Sequence, residues 1–243
     1  MVELAQVDQL VVSERFVSLQ GEGATAGRPC AFLRLGHCNL SCSWCDTPYT
    51  WDRQRFDLDQ ELQPVSFTEL CQWLLEQPVN RLIITGGEPL IQHRKLEVWL
   101  QQLDLAVAEI GRERFIIEVE TNGTILANAS LLARVDQWNV SPKLKSSAQK
   151  DSSALKVGVL RHYKIQPRAF LKLVISDKRD EEQADALIKE LEWPKTRVIF
   201  MPEARNKEEL RERSPKIAKV ALDNGVLFSS RLHLELYDGR RGT

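Results

Sequence analysis

The chain has 243 residues, with 33 lysines and arginines against 34 aspartates and glutamates, for a formal net charge of -1. This length is enough to bury a full core, and α/β chains of this size are commonly one domain, so we expect a single domain over residues 1–243. The balanced charge excludes the strong positive field that gathers nucleic acid or an anionic membrane. We therefore expect a small molecule as the ligand, and neither nucleic acid nor membrane as a partner.

The chain carries no sign of a membrane span or a secretory signal. No apolar run approaches the roughly 18 residues of a span, and the opening stretch MVELAQVDQLVV carries acids where a signal peptide carries bases. We expect a cytoplasmic protein. The five cysteines are odd in number and clustered, which is not typical of a disulfide framework. Thiols in a reducing cytosol favour metal or redox chemistry.

Short apolar runs alternate with longer amphipathic segments along the chain. After an edge strand near residues 10–18, the runs predict buried strands at residues 30–35, 81–85, 115–120, 138–140, 170–176, 197–201 and 226–230. Helices are predicted at residues 66–77, 90–110, 124–134, 152–163, 180–192 and 206–223, the first with capping-box spacing between Ser66 and Glu69. Repeated strand, helix, strand units imply right-handed crossovers and a parallel sheet, either doubly wound or curled into a barrel.

Polar or glycine-bearing loops follow five of the predicted strands. The cysteine cluster follows AFLRL, and the loops TGGEP, ETNGT, SPK and PEA follow the next strands in turn. In parallel α/β folds the carboxyl ends of the strands meet on one face, where ligand sites are built. We therefore expect these five loops to surround one ligand.

Three of the five cysteines lie in one short loop. Cys38, Cys42 and Cys45 have the spacing C-x3-C-x2-C. A structural zinc site takes four protein ligands, and the fourth here would have to be His37, Cys30, Cys71 or Asp46, none of which is spaced for that role. In a cluster of four irons, three thiolates leave one iron open to a small molecule, so three is the required number. Trp44, just before the last cysteine, is aromatic, so its ring is able to shield the cluster or to contact a planar ligand.

The stretch CNLSCSWC resembles the signature of the radical S-adenosylmethionine superfamily. The resemblance implies a partial, open (β/α)6 barrel with parallel strands and outer helices, a [4Fe–4S] cluster on the three cysteines, and S-adenosylmethionine on the open iron. It assigns to that cofactor the loop TGGEP and two further residues, so the expected contacts are Trp44, Thr85, Gly86, Gly87, Glu88 and Ser141. The glycines permit close backbone approach and Glu88 is able to accept from an ammonium. The alternative is an ordinary strand-to-helix turn with Pro89 at the first helical position.

The stretches SLQGEG, CDT, ETNG and SPK together resemble the 7-carboxy-7-deazaguanine synthase family over nearly the whole chain. This resemblance implies a lyase that converts 6-carboxy-5,6,7,8-tetrahydropterin to 7-carboxy-7-deazaguanine and ammonia, by hydrogen abstraction at substrate C6 and ring contraction, in queuosine biosynthesis. It also implies Mg²⁺ held in part by Thr47, an electron donor such as flavodoxin or ferredoxin, and a homodimer. Residues 1–28 would form the edge strand and substrate loop, and 226–243 a C-terminal strand and tail.

Six residues are predicted to contact the substrate. A pterin presents an amide-and-amine edge that amides and carboxylates match, and its carboxylate suits a guanidinium fork. On this chemistry the expected contacts are Gln20, Glu22 and Arg34, and the resemblance to the family implies three more, Gly23, Glu120 and His233. Members of the family can end just after this histidine, whereas this chain continues through YDGRRGT. Any role of a chain-end carboxylate at the substrate is therefore in doubt.

Each assignment has a structural alternative. Gln20 to Gly23 would be a polar turn, Arg34 a surface strand residue, and Thr47 a cap for the turn that contains Pro48. Cys30 and Cys71 are expected to be buried free thiols, and His37 and His93 solvated or packing residues.

Two rival functions remain open from the residues. A glycyl-radical enzyme activase has a similar cluster motif, although its last cysteine is not usually followed by Asp-Thr. A zinc-stabilised binding module without catalysis would also use the cysteines, but zinc does not explain the polar loops after four further strands.

Overall fold

The computed structural model describes residues 8–148 and 154–243. These residues form one nine-stranded sheet in the order β3-β1-β2-β4-β5-β6-β7-β8-β9. The strands are β1 Gln9–Leu19, β2 Pro29–Leu35, β3 Gln63–Ser66, β4 Arg81–Gly86, β5 Ile116–Thr121, β6 Gln137–Val140, β7 Ala169–Ile175, β8 Val198–Pro202 and β9 Leu227–Phe228. From β2 to β9 all neighbours pair in parallel, and β1 pairs antiparallel with both β2 and β3.

The sheet begins at β3 and ends at β9 without closing. The predicted α/β class, with mostly parallel strands in an open, partial barrel, is confirmed. The edge strand expected near residues 10–18 is β1, and each of the other predicted strands falls on an observed one. The run at 226–230 is shorter than predicted, because only Leu227–Phe228 pairs with β8.

Eight α-helices are present in the described residues: α1 Leu58–Glu61, α2 Phe67–Leu75, α3 His93–Glu109, α4 Ala129–Arg134, α5 Val157–Lys164, α6 Lys178–Leu191, α7 Lys207–Asn224 and α8 Leu232–Tyr237. The predicted cap of α2 is present, since Ser66 accepts from the backbone N of Glu69 at 3.2 Å. The prediction at 124–134 extends too far toward the N-terminus, because Asn128 caps the helix there. The first two residues of the prediction at 152–163 lie outside the described residues. No helix among the described residues is both long and apolar enough to cross a bilayer.

Side chains alternate between the two faces of each parallel strand. On the outer face, residues such as Leu33 of β2, Val119 of β5 and Leu173 of β7 join the main core beneath the helices. Their neighbours in the chain point to the inner face, and several of these are charged: Arg34, Glu118, Glu120 and Lys172. The inside of the partial barrel is therefore polar, as is expected of a site for a polar small molecule.

Candidate active site

A cavity of about 470 Å³ opens at the carboxyl ends of the parallel strands. Its volume lies in the range of small-molecule sites. The loops expected to converge do converge here. The predicted residues that line the cavity are Gln20, Glu22, Arg34, Cys38, Cys42, Trp44, Cys45, Thr47, Thr85, Gly86, Gly87, Glu120, Ser141 and His233. Gly23 and Glu88 lie outside this lining.

The cysteine loop is held by backbone hydrogen bonds. The N of His37 donates to the O of Thr50 at 2.7 Å, and the N of Cys45 donates to the O of Cys42 at 3.2 Å. The three cysteine side chains share one small apolar cluster with Leu40 and Ala154. Burial raises the pKa of the Cys38 thiol to about 12, and the charges of Glu88, Cys42 and Cys45 act in the same direction. A bound metal group would supply the positive charge that favours the thiolate form of Cys38.

The spacing of the cysteine sulfurs tests which group they fit. Three sulfurs on one tetrahedral zinc lie about 3.8 Å apart, from Zn–S bonds of about 2.3 Å. Among the described residues, only Glu22, Asp46 and His233 bring three metal-donor atoms within 4.8 Å of one another. The sulfurs of Cys38, Cys42 and Cys45 are more widely spaced, which suits a cluster of several irons better than a single zinc ion.

The glycine pair after β4 permits the cluster loop to pack against this strand. A Cβ on Gly86, whose φ is 149°, would lie 2.2 Å from the O of Leu35. A Cβ on Gly87 would lie 2.2 Å from the O of His37 and 2.8 Å from the Cβ of Cys38. Only glycine fits at both positions, so the sequence Gly-Gly sets the contact between the two loops.

Glu88 connects the loops after β4 and β5. Its carboxylate is fully buried and accepts from the N of Leu90 at 3.0 Å, the hydroxyl of Thr121 at 2.8 Å and the N of Asn122 at 2.6 Å. Burial raises the pKa of this carboxyl to about 6. The backbone has the strand-to-helix turn of the alternative, since Pro89 opens a short 3-10 helix that Glu88 caps. The predicted contact of Glu88 with a cofactor ammonium stays a prediction.

A buried ion-pair network forms one wall of the cavity. Lys172 Nζ lies 2.6 Å from Glu22 Oε2, and Arg231 Nε lies 2.9 Å from Glu22 Oε1. Arg231 also donates to Asp46. Burial alone would raise the pKa of Glu22, but the charges of Lys172 and Arg231 hold it well below its usual value. Burial lowers the pKa of His233 from its ordinary value.

Three members of this network were missed by the sequence reasoning. Lys172, Arg231 and Asp46 all line the cavity. Lys172 had a visible signal, because it interrupts the apolar run FLKLVIS. Asp46 was considered only as a zinc ligand and Arg231 gave no signal, because the pairing of these two residues spans 185 positions of the chain. Although Glu22, Asp46 and His233 cluster closely, the cations Arg231 and Lys172 occupy the carboxylates and balance their charge.

Arg34 of β2 also lines the cavity. Its Nε donates to Glu14 Oε2 at 2.8 Å, and Glu14 also accepts from the hydroxyl of Tyr49 at 2.9 Å and from Arg241 Nε at 2.8 Å. Only 18% of the Arg34 side chain is exposed, so the alternative that Arg34 is a surface strand residue is wrong. Within the described part of the chain, only its Nε has a hydrogen-bond partner, which leaves both Nη groups for a ligand.

Gln20 and Glu120 meet on the floor of the cavity. Gln20 Nε2 donates to Glu120 Oε1 at 3.3 Å, and Thr85 donates to Glu120 Oε2 at 3.5 Å. Lys172 Nζ lies 3.7 Å from Glu120. These contacts are long, so Glu120 is held less tightly by protein partners than the other carboxylates that line the cavity. Gly23, which does not line the cavity, donates its N to the hydroxyl of Ser229 at 2.8 Å.

The remaining predicted residues flank the cluster loop. Lys143 Nζ lies 5.4 Å from the ring centroid of Trp44 and 3.5 Å from the hydroxyl of Ser141. Thr47 precedes a 3-10 helix, but its side chain makes no cap bond there, so the capping alternative is wrong.

The cysteines outside the cluster loop behave as expected. Cys30 and Cys71 are buried free thiols, which confirms that prediction. The segment after His233 folds back to the cavity, which residues 239–243 line, and Arg241 stacks 3.7 Å from the ring centroid of Tyr49.

Comparisons with known proteins agree with this geometry. A family profile described as the radical SAM superfamily matches residues 34–212. A protein of Pyrobaculum aerophilum named 7-carboxy-7-deazaguanine synthase is 34% identical over 231 residues, which cover 95% of this chain and 96% of that protein. A protein of the same name from Halobacterium salinarum is 32% identical, with 94% and 91% covered. The crystal structure of QueE from Escherichia coli matches with a TM-score of 0.64 at 25% identity, covering 93% of this chain and 95% of that one.

Proposed function

Since the chain belongs to the radical S-adenosylmethionine superfamily, and within it to the 7-carboxy-7-deazaguanine synthase family, we propose that it converts 6-carboxy-5,6,7,8-tetrahydropterin to 7-carboxy-7-deazaguanine and ammonia, a reaction of queuosine biosynthesis. The observation that carries this proposal is one cavity with two chemically different halves. One half holds the three cysteines and the glycine pair, and the other holds the Arg34 guanidinium, the Gln20 amide and the Glu120 carboxylate.

Cys38, Cys42 and Cys45 would hold a [4Fe–4S] cluster. When bound, that cluster and S-adenosylmethionine supply the radical that removes a hydrogen atom from the substrate. The chain provides binding, orientation and exclusion of water. The wide spacing of the sulfurs and their shared apolar pocket support this ligand set over the zinc module.

Backbone and side chains around the glycine pair would hold the cofactor. Gly86 and Gly87 present their backbone to the cavity beside Cys38, and Thr85 continues that wall. Trp44 and Ser141 line the cavity on the side of Lys143. Glu88 would act mainly by fixing the loop after β5, because its oxygens already accept three hydrogen bonds from the protein.

The substrate would lie between Arg34 and Glu120. The free Nη groups of Arg34 suit the pterin carboxylate, and the fork geometry of a guanidinium orients it. Gln20 and Glu120 suit the amide-and-amine edge of the ring. Glu22 has both oxygens engaged by cations, so we assign it to shaping the cavity together with His233.

The proposal includes a Mg²⁺ ion at the substrate, held in part by Thr47. The hydroxyl of Thr47 lines the cavity and has no capping role. One protein hydroxyl, substrate oxygens and waters make a set that Mg²⁺ accepts, since it keeps much of its hydration. We propose Thr47 as the protein ligand.

The partners follow from the reaction. An electron donor such as flavodoxin or ferredoxin would reduce the cluster, which fits a reducing, cytoplasmic compartment. A homodimer stays a prediction, and measurement of molecular mass in solution tests it.

The test is anaerobic incubation of the reconstituted protein with the carboxytetrahydropterin, S-adenosylmethionine and dithionite. We expect the deazaguanine acid by mass and one equivalent of ammonia, and Cys42→Ala should neither cleave the cofactor nor form product. If the brown protein cleaves S-adenosylmethionine without consuming the pterin and instead places a radical on a partner protein, the activase is correct. A colourless protein that retains zinc would overturn both enzyme readings.

A further inference from the structure

One side-chain hydrogen bond within the cluster loop ends on a cysteine sulfur. Trp51 Nε1 donates to Cys45 Sγ at 3.3 Å, and both side chains are partly buried. Thr47 Oγ1 also lies 3.8 Å from this sulfur. The indole ring thus reaches back over the motif and contacts its last cysteine.

The backbone holds Trp51 in this position. Pro48 opens the 3-10 helix Pro48–Thr50, and the N of Trp51 donates to the O of Pro48 at 3.1 Å. Thr50 is fully buried, its hydroxyl donates to the O of Thr47 at 2.8 Å, and its own O accepts from His37. Because both ends of the turn are fixed, the N–H of the indole is oriented before any cluster binds.

A donor on a cluster thiolate acts on the reduction potential. Adding an electron increases the negative charge on the sulfurs, so an N–H bond to sulfur stabilises the reduced state more than the oxidised one. Loss of the donor makes the cluster harder to reduce, with no change in its ligands.

We propose that Trp51 is a positioning residue that raises the reduction potential of the cluster through its hydrogen bond to Cys45. This inference rests on the proposed cluster ligation, and it concerns the ease of reduction rather than substrate contact. Trp73 is the control, because it lies on α2, packs on the main core and is not part of the cavity lining.

The test is an anaerobic redox titration of the reconstituted protein with dithionite and mediators, followed by the EPR signal of the reduced cluster, without S-adenosylmethionine. Trp51→Phe should lower the equilibrium constant for reduction about tenfold, which for one electron is about 59 mV toward more negative potential. Trp73→Phe should leave the potential near that of the wild type. Equal potentials in Trp51→Phe and the wild type, or an equal shift in Trp73→Phe, would overturn the inference.

A second readout does not depend on cluster assembly in a variant. Wild-type protein labelled with nitrogen-15 in its indole rings should show a nitrogen coupling to the reduced cluster in pulsed EPR, and Trp44→Phe should retain it. A wild-type cluster without that coupling would rule out the hydrogen bond. Absence of any cluster in the wild type would instead defeat the proposed function.

Discussion

Lys172 places its Nζ 2.6 Å from Glu22 Oε2, with 5% of the lysine and 13% of the glutamate side chain exposed. Burial alone would lower the pKa of Lys172, but Glu120 and Glu22 raise it, so the lysine stays charged. The pair is therefore a fixed, neutral unit that ties the loop after β1 to β7. Arg231 on the other oxygen of Glu22 extends it to the C-terminal part of the chain.

Removing the lysine should destabilise the fold. In Lys172→Met, Glu22 remains buried with one cation instead of two, and we expect a loss of about 2 to 3 kcal/mol in the free energy of unfolding. Urea unfolding of the cluster-free protein measures it. Lys219→Met is the control, because its pair with Asp223 is exposed and should change stability by no more than about 0.5 kcal/mol. Similar effects of the two substitutions would contradict the role of the buried pair.

The depressed pKa of Glu22 predicts a loss of stability in acid. Above its ordinary pKa of 4.5 the carboxyl is ionised in both states, and its ion pairs stabilise the fold fully. Below that pH the unfolded chain binds the proton first, so stability falls until the pH passes the depressed folded pKa. The wild type should exceed Glu22→Gln in stability at neutral pH, and the difference should shrink as the pH drops below 4.5. A difference that stays constant with pH would refute this linkage.

The strands and the cluster were readable from the sequence because their signals are local. Apolar runs mark the strands, and Cys38, Cys42 and Cys45 lie within eight positions. Short elements such as β3 and α8 were missed. The segment RLHLEL alternates like a strand, yet it forms α8, in which Leu234 is buried and Leu236 is half exposed.

The inner wall of the cavity was only partly readable. Arg34 and Glu120 adjoin recognisable loops, whereas Lys172 differs from its neighbours only by its charge within an apolar strand. The ion pairs of Arg231 depend on how the C-terminal segment packs against the substrate loop. A short window of sequence does not contain that information, because the contacts join positions about two hundred residues apart.

The glycine pair should be essential for cluster binding. A Cβ in Gly87→Ala would overlap the O of His37 and displace the loop that carries Cys38. We expect iron and sulfide content, and cleavage of S-adenosylmethionine, to fall together. Gly158→Ala is the control, because Gly158 lies in α5 with open space around its Cβ position, and it should keep the cluster and gain up to about 1 kcal/mol in stability. A full cluster in Gly87→Ala would show that the loops tolerate the added carbon.

Arg34 should matter for the substrate and not for the cofactor. Its Nη groups are proposed to bind the pterin carboxylate, and the loss of a hydrogen bond to a charged group is worth about 1.5 to 3 kcal/mol, or about 10- to 150-fold in KM. Arg34→Ala should therefore still cleave S-adenosylmethionine without coupling it to product. Glu14 keeps Tyr49 and Arg241 as partners, so the fold should survive.

Arg15→Ala is the control, because Arg15 on β1 pairs with the half-exposed Glu69 instead, and it should leave KM unchanged. The measurement is steady-state kinetics that follows both cleavage of S-adenosylmethionine and formation of product. An equal loss of the two in Arg34→Ala would contradict the assigned role.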